Sequence, residues 1–284
     1  MPSETKTVVP VLDHVVINVL GKLDEAASQY QRLGFTLTPR GHHTLGSSNN
    51  LAIFGDDYLE LLGYQPGREA QRQDLWQHPP GLSGLVFKAV DPNLVYATMS
   101  ARGVPVGEPM QFARPVELQD GSHDARFAVV QVKGEAVKNG RTFFCHHFTP
   151  ELVWRPEWQT HANGVTGLTE FVIAARDPAQ TASIYEQMFG PGLLTRVPGG
   201  VSFGAGSPVV LILDPATIAA RYGGAALTSA DGGDRMVGLS FKVSSLDKAK
   251  SALGVGEVPF GPFAGGGILV PSAQAANVAL AFVE

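Results

Sequence analysis

One pattern recurs four times along this chain of 284 residues: an apolar run bounded by turn residues, a helical stretch that ends on glycine, and several short β-rich runs. The opening runs read DHVVINV from Asp13, GLVFKAV from Gly84, TEFVIAA from Thr169 and VGLSFKV from Val237. Each has the length and flanks of a buried strand. The helical stretches GKLDEAASQYQRLG, DPNLVYATMSARG, DPAQTASIYEQMFG and SSLDKAKSALG stop at Gly34, Gly103, Gly190 and Gly254, and glycine at such a place reads as a helix stop. In the first of them Leu23, Ala26, Ala27, Tyr30 and Leu33 form one apolar stripe, suited to packing on a sheet. The second and third open with Asp-Pro, a capping acid followed by proline at the first helical position. Three β-rich runs follow each helix, FTLTPRGHHT, NNLAIFG and DYLELLGY in the first unit and FARPVEL, ARFAVVQVK and RTFFCHHF in the second. The third unit ends in LLTRVPGG, VSFGAG and VVLILD, the fourth in VPFGPF, GGILVPS and NVALAFVE. The prediction is an α+β fold of four βαβββ units.

A single βαβββ unit has a curved sheet with one face covered by its helix and the other bare, so units pair to enclose the bare face. Four units give two barrel-like domains, expected at 1–150 and 164–284 with a linker at 151–163. The Pro- and aromatic-rich stretch TPELVWRPEWQTHANG fits neither the strand nor the helix period. It is expected to be the seam on which the two halves pack.

Composition narrows the function class. A net charge of −5 and a pI near 5.9 leave no basic footprint for nucleic acid or an anionic membrane. The segment MPSETKTVVPVLDHVVINVL lacks the basic flank and long apolar stretch of a signal peptide, and no segment approaches a membrane span. The expectation is a cytoplasmic protein whose partners are a small-molecule substrate and, at most, a second copy of the chain as a homodimer. The single cysteine, Cys145, excludes an internal disulfide and any multi-thiolate metal site. A metal here needs histidine and carboxylate ligands.

Glu60 stands between Leu59 and Leu61 in DDYLELLGY, where a buried strand normally carries another hydrophobe. Alternate side chains of a strand point to opposite faces. If Val15, Ile17 and Val19 meet the helix, His14, Val16 and Asn18 face the bare concave side, and by the same rule so do Tyr58, Glu60 and Leu62. A carboxylate there stays protonated or carries a several kcal/mol desolvation cost unless it meets a cation or a good hydrogen-bond set. A tyrosine, an arginine, backbone amides or a metal ion would each serve.

LDHVVINV and DDYLELLGY, set in paired βαβββ units, resemble the vicinal oxygen chelate superfamily, specifically its glyoxalase-like domains. Members commonly hold a divalent metal between paired units, with ligands from the first and last strands of each. The resemblance implies such a site at His14 and Glu60, for Zn, Mn, Ni, Mg or Fe. The second unit departs from the pattern, because Gly84 stands where His14 does and Lys88 where Asn18 does. The third ligand is then sought in FFCHHF, where Phe144, His146 and Phe148 share one face and Cys145 and His147 the other. That alternation favours His147 over His146. Two histidines and a carboxylate leave coordination positions open for substrate and water.

What the resemblance implies for activity is lyase or isomerase chemistry, in which the ion stabilises a developing enolate or oxyanion while a side chain moves the proton. Candidates for that proton transfer are Glu60 itself and His42 or His43 in the loop RGHHTLGSSNN. Substrate contacts are expected from Asn18, Tyr58, Lys88 and an aromatic, cationic wall of Trp154, Arg155 and Trp158. The alternatives are an Fe(II) extradiol dioxygenase, whose known relatives carry the site in the C-terminal pair, and a metal-free binding or resistance protein with an aromatic cleft. His78 and His123 read as surface turns, His161 as exposed, and Cys145 as a small buried filler. All eight histidines lie in the first 161 residues, so the C-terminal pair is expected to carry no histidine metal site.

Overall fold

The computed structural model describes residues 7–284, so the first six residues of the N-terminal segment read above lie outside the described residues. The first unit holds β1 (Leu12–Leu20), α1 (Leu23–Arg32), β2 (Gly41–His42), β3 (Ser48–Ile53), β4 (Tyr58–Gly63) and a short α2 (Gln73–Trp76). The second holds β5 (Gly81–Lys88), α3 (Pro92–Ala101), β6 (Met110–Leu118), β7 (Gly121–Gln131) and β8 (Arg141–His147). The third has β9 (Val165–Ala174), α4 (Pro178–Phe189), β10 (Thr195–Val197), β11 (Gly200–Gly204), β12 (Val209–Leu213) and α5 (Pro215–Tyr222). The fourth has β13 (Arg235–Val243), α6 (Leu246–Val255), β14 (Gly261–Pro262), β15 (Ile268–Val270) and β16 (Ala279–Val283). Units one and two form one 8-stranded sheet, ordered β2-β3-β4-β1-β5-β8-β7-β6, and units three and four repeat that order in a second. The fold is α+β, with two barrel-like halves.

Local chemistry explains three of the helix starts. Asp91, Asp177 and Asp214 cap α3, α4 and α5 by accepting from backbone N–H groups two or three residues on, each with proline next. The Asp214-Pro215 pair is the signal that the strand reading of VVLILD passed over, since it starts α5. Two further readings are corrected. The stretch from Phe35 to Arg40 is not strand, and pairing begins only at Gly41. Gly254 lies inside α6, and the positive φ that turns the chain belongs to Glu257, at 53°.

The two sheets pack helix side to helix side. Val15, Ile17, Leu59 and Tyr30 from the first half share one buried cluster with Phe171, Phe241 and Phe282 from the second. Phe35 contacts Phe241 at 5.3 Å between ring centroids, and Phe87 contacts Phe189 of α4 at 4.9 Å. Tyr30 donates to the Ala275 carbonyl across the seam. Burial of this much aromatic surface is the dominant favourable term in holding the halves together. The segment expected to form the seam does something else. Its two short turns, Pro150–Leu152 and Pro156–Trp158, send Val153 and Trp154 into the concave side of the first sheet. His161, expected to be exposed, is buried: Nε2 donates to the Ile53 carbonyl at 2.8 Å and Nδ1 accepts from the Thr36 N–H at 3.0 Å.

The first sheet curls far enough for its edges to meet, with the N–H of Thr44, just past β2, donating to the Ala113 carbonyl of β6 at 3.0 Å. Gly41 permits this approach, because a Cβ there would lie 2.4 Å from Arg114 Cδ. The second sheet instead has its concave side filled by α5, whose Ile218 and Tyr222 pack with Val172, Leu213 and Phe263.

Candidate active site

The curled first sheet encloses a cavity of about 70 Å³, room for more than one water-sized group. Its polar lining comes from His14 on β1, Tyr58 and Glu60 on β4, His43 and Asn49 around β3, Arg114 on β6 and Arg141 on β8. His14 pairs with Tyr58 across the parallel β1–β4 ladder, and Glu60 stands opposite Val16, so the donor side chains lie on adjacent central strands. His14 Nε2 is 3.9 Å from Glu60 Oε2, and the imidazole stacks on Tyr58 at 4.4 Å.

Strict alternation along β1 would put Asp13 with Val15 on the helix side, and the structure turns it the other way. Leu12 pairs with Phe87 and His14 with Val86, so β1 carries one extra residue against β5 at Asp13. A bulge of this kind re-aims a side chain. Asp13 Oδ1 accepts from His14 Nδ1 at 2.6 Å and from His147 Nε2 at 3.0 Å. Burial opposes ionisation of Asp13, but the charge of His147 and the two imidazole bonds outweigh it, holding the carboxyl well below the usual range. An ionised Asp13 can only accept, so the His14 proton sits on Nδ1 and the Nε2 lone pair faces the cavity.

Glu60 is fixed in the same way. Asn49 Nδ2 donates to Glu60 Oε1 at 2.6 Å and lies 3.2 Å from His43 Nε2. Since a carboxylate only accepts, the amide orientation follows, and His43 Nε2 is an acceptor whose Nδ1 proton goes to Ser47 Oγ at 2.8 Å. Burial, with smaller opposing help from Glu60, pushes His43 down to about 4. It is therefore neutral at pH 7. The Cys145 thiol is raised by burial and by the nearby Asp13 and Glu60 charges, which leaves it protonated and a poor nucleophile.

The other residues singled out from sequence lie outside this cavity. Asn18 donates to the His78 carbonyl at 3.1 Å and accepts from the Leu20 N–H, which ties down the loop before β5. His42 is held by Ser48 on the rim. His146 bonds the Ala89 carbonyl at 2.7 Å. His147, His146, Lys88 and Trp154 border a separate outer cleft, where Lys88 lies 5.6 Å from the Trp154 ring centroid. Arg155 pairs with Glu157 and stacks on Trp158 over another surface cleft. Asn49, Arg114 and Arg141 were missed. The one signal for Arg114 was its alternation with Phe112 and Val116 in FARPVEL.

Two donor sets bear on a metal. His14 and Glu60 fit a divalent ion, since the imidazole offers Nε2, its Nδ1 is held by a carboxylate as in metal-ligating histidines, and Glu60 brings a hard oxygen 3.9 Å away. The register-equivalent positions of unit two, Gly84 and Phe143, offer no donor, and a Cβ at Gly84 would lie 2.6 Å from Val16 Cβ. Among the described residues, the group of three whose ligand atoms all lie within 4.8 Å of one another is Asp13, Cys145 and His147. The set read from sequence, His14, Glu60 and His147, is not gathered in such a group, because His147 Nε2 is directed at Asp13.

The family model described as a glyoxalase-like domain matches residues 12–189. This chain belongs to that family, within the vicinal oxygen chelate superfamily. No curated protein matches it. Among solved structures, a hypothetical protein from Staphylococcus aureus is similar at 11% identity and a TM-score of 0.62, covering 97% of this chain and 100% of that one. A mutant of 4-hydroxymandelate synthase from Streptomyces coelicolor is similar at 15% identity and a TM-score of 0.53, with 93% and 78% covered. A xylose isomerase-like TIM barrel/4-hydroxyphenylpyruvate dioxygenase fusion protein is similar at 13% and 0.55; this chain, covered over 97% of its length, spans 48% of that one. At these identities the glyoxalase-like fold is what is shared. Among the described residues, no helix is long and apolar enough to cross a membrane.

Proposed function

We propose that this glyoxalase-like protein is an enzyme that takes a small oxygen-bearing substrate into the N-terminal cavity and moves a proton on it, in lyase or isomerase chemistry. The observation that carries the reading is the pair His14 Nε2 and Glu60 Oε2, 3.9 Å apart in the wall of the cavity, each held from behind. His14 and Glu60 would hold a divalent ion, which when bound polarises substrate oxygens as a Lewis acid. The remaining work belongs to the chain. Asp13 fixes the His14 tautomer so that an acceptor faces the substrate. Asn49 holds Glu60 Oε1 and so presents Oε2, the carboxylate oxygen placed to accept a proton. His43, neutral at pH 7, adds no charge that would pair with Glu60. Leu51, Leu62, Phe112 and Phe127 exclude water around the acid, which strengthens each of these contacts.

The test is proton exchange. The protein, purified without chelator, is incubated in deuterated water with a panel of 2-hydroxy and 2-oxo carbonyl compounds, and loss of the Cα–H signal is followed by NMR. We expect exchange in at least one class of compound and none in Glu60→Gln. Exchange that survives in Glu60→Gln would overturn the reading. The structural likeness to 4-hydroxymandelate synthase supports a second reading, a dioxygenase. Oxygen uptake by the iron-loaded protein with catechols or aromatic acids, without exchange, would replace the first reading with the second.

A further inference from the structure

The charges around the cavity do not balance. Three arginines line it, Arg72, Arg114 and Arg141, against one carboxylate, Glu60. Arg72 is neutralised by Asp74, with Nε and NH2 at 3.0 and 2.9 Å from its two oxygens. Arg114 is 3% exposed, its NH1 reaches only Asn49 Oδ1 at 3.4 Å, and its Nε and NH2 are sealed from solvent with no partner. Arg141 lies over the Phe143 ring at 5.5 Å, and its Nε is likewise sealed and unpartnered. Neither has a carboxylate within ion-pair distance among the described residues, for Glu60 is engaged by Asn49.

An unpaired, desolvated guanidinium is costly by several kcal/mol. We propose that Arg114 and Arg141 are a clamp for a carboxylate carried by the ligand of this cavity. Two free cations against Glu60 leave one positive charge, which a monoanion cancels. The planar fork of a guanidinium matches a carboxylate in two parallel bonds. Gly41 belongs to the device, since any side chain there would displace Arg114 from the cavity wall. The opposite wall, built from Leu45, Leu62, Leu75, Phe112 and Phe127, takes the apolar remainder. The ligand class is thus a small organic acid with a compact apolar body. That this ligand is the substrate rests on the reading of Glu60 and His14 above; that it is bound does not.

Calorimetric titration of the whole chelator-treated protein tests the clamp apart from any ion. Phenylacetate is compared with its neutral isostere phenylacetamide and with phenyl phosphate. We expect phenylacetate to bind roughly tenfold or more tighter than the amide, as charge-assisted bonds dictate, and tighter than phenyl phosphate. The preference collapses in Arg114→Gln and in Arg141→Gln and persists in Arg155→Gln, whose arginine is on the outer surface. Should the arginine variants fail to fold, Glu60→Gln supplies the second measurement: removing the one negative charge in the cavity tightens phenylacetate and leaves the amide unchanged. Equal binding of acid and amide, binding of neither, preference for phenyl phosphate, or a preference that survives both arginine changes would each overturn the assignment. The two readings fail separately, since absence of proton exchange leaves the acid-over-amide preference intact and loss of the preference leaves exchange intact.

Discussion

The two sheets share strand order, register and helix placement, yet their concave faces have opposite contents. In the first, the four inward positions at the centre are His14, Glu60, Gly84 and Phe143. In the second, the positions that match by register are Glu170, Leu211, Gly238 and Ala281. Glu170 is bonded by Arg221 of α5 and by Ser240, so a half-buried acid that resembles Glu60 in type is answered from within the chain. Arg114 and Arg141 in the first half have no such answer. A concave glyoxalase-like face can thus be closed by its own helix and ion pair or left open with unsatisfied charge, and the open one is where a ligand belongs.

The strongest way to break this comparison is to separate the halves. Residues 1–161 retain every cavity residue but would expose Phe35, Phe54 and Phe87, all buried in the shared core. We expect this fragment to aggregate or to lack a cooperative thermal transition, because an apolar face of this size drives association. A soluble monomer with full phenylacetate affinity would show that the second half is dispensable.

Exchanging the acids sharpens the comparison. Glu60→Gln should abolish proton exchange and His14→Ala should lower it by roughly 100-fold or more, and His14→Ala should also weaken metal retention measured by elemental analysis. Glu170→Gln, at the position matching His14, should leave both unchanged. Smaller still is the arginine contrast. Arg221→Met strands Glu170 and should cost about 2 kcal/mol in denaturant unfolding, the pair being only partly sheltered. Arg114→Met removes a charge with no ionic partner and should cost less than that while abolishing the acid-over-amide preference. A larger loss from Arg114→Met would mean that its role is structural.

The finest contrast is in pH. Burial raises Asp57 to about 7, so the folded state keeps a proton that the unfolded chain has released, and stability falls as pH rises from about 4 to 7. Burial lowers His43 to about 4, so the unfolded chain binds the extra proton, and stability rises from about 4 to 6.5. The two slopes oppose each other, each at most about 1.4 kcal/mol per pH unit. Asp57→Asn should therefore steepen the rise of Tm over this range and His43→Gln should reverse it. Unaltered pH profiles would show that neither group is desolvated.

Much of the architecture was legible because it repeats. Four strand-helix-glycine units and their pairing follow from period and turn residues alone, and the period of two placed His14, Tyr58 and Glu60 on one face. What escaped had non-local causes. Asp13 turned inward through a bulge that exists only against β5. Arg141 opens the run RTFFCHHF with nothing local to mark it, and its isolation shows only when Glu60 of β4 and Arg114 of β6 share a cavity with it. The role of Trp154 was misread because an aromatic, proline-rich stretch fits equally a seam between halves or a plug in one of them. The filling of the second concave face was foreshadowed by Asp214-Pro215, a helix start beside a run already read as strand.

The bulge at Asp13 also sets which distances in the site can vary. Asp13 and His14 are consecutive in the chain, so their 2.6 Å contact moves as one piece with a short length of backbone. Glu60 reaches the same place from β4, hydrogen-bonded directly to β1, so its 3.9 Å separation from His14 is fixed by register, whereas Arg114 closes the cavity from β6 at the far edge of the sheet. If the sheet opens to admit a ligand, the imidazole and the carboxylate keep their spacing while Arg114 moves relative to both. The aiming part of the site is built into covalent sequence and strand register, and the gap that receives the ligand is the adjustable dimension.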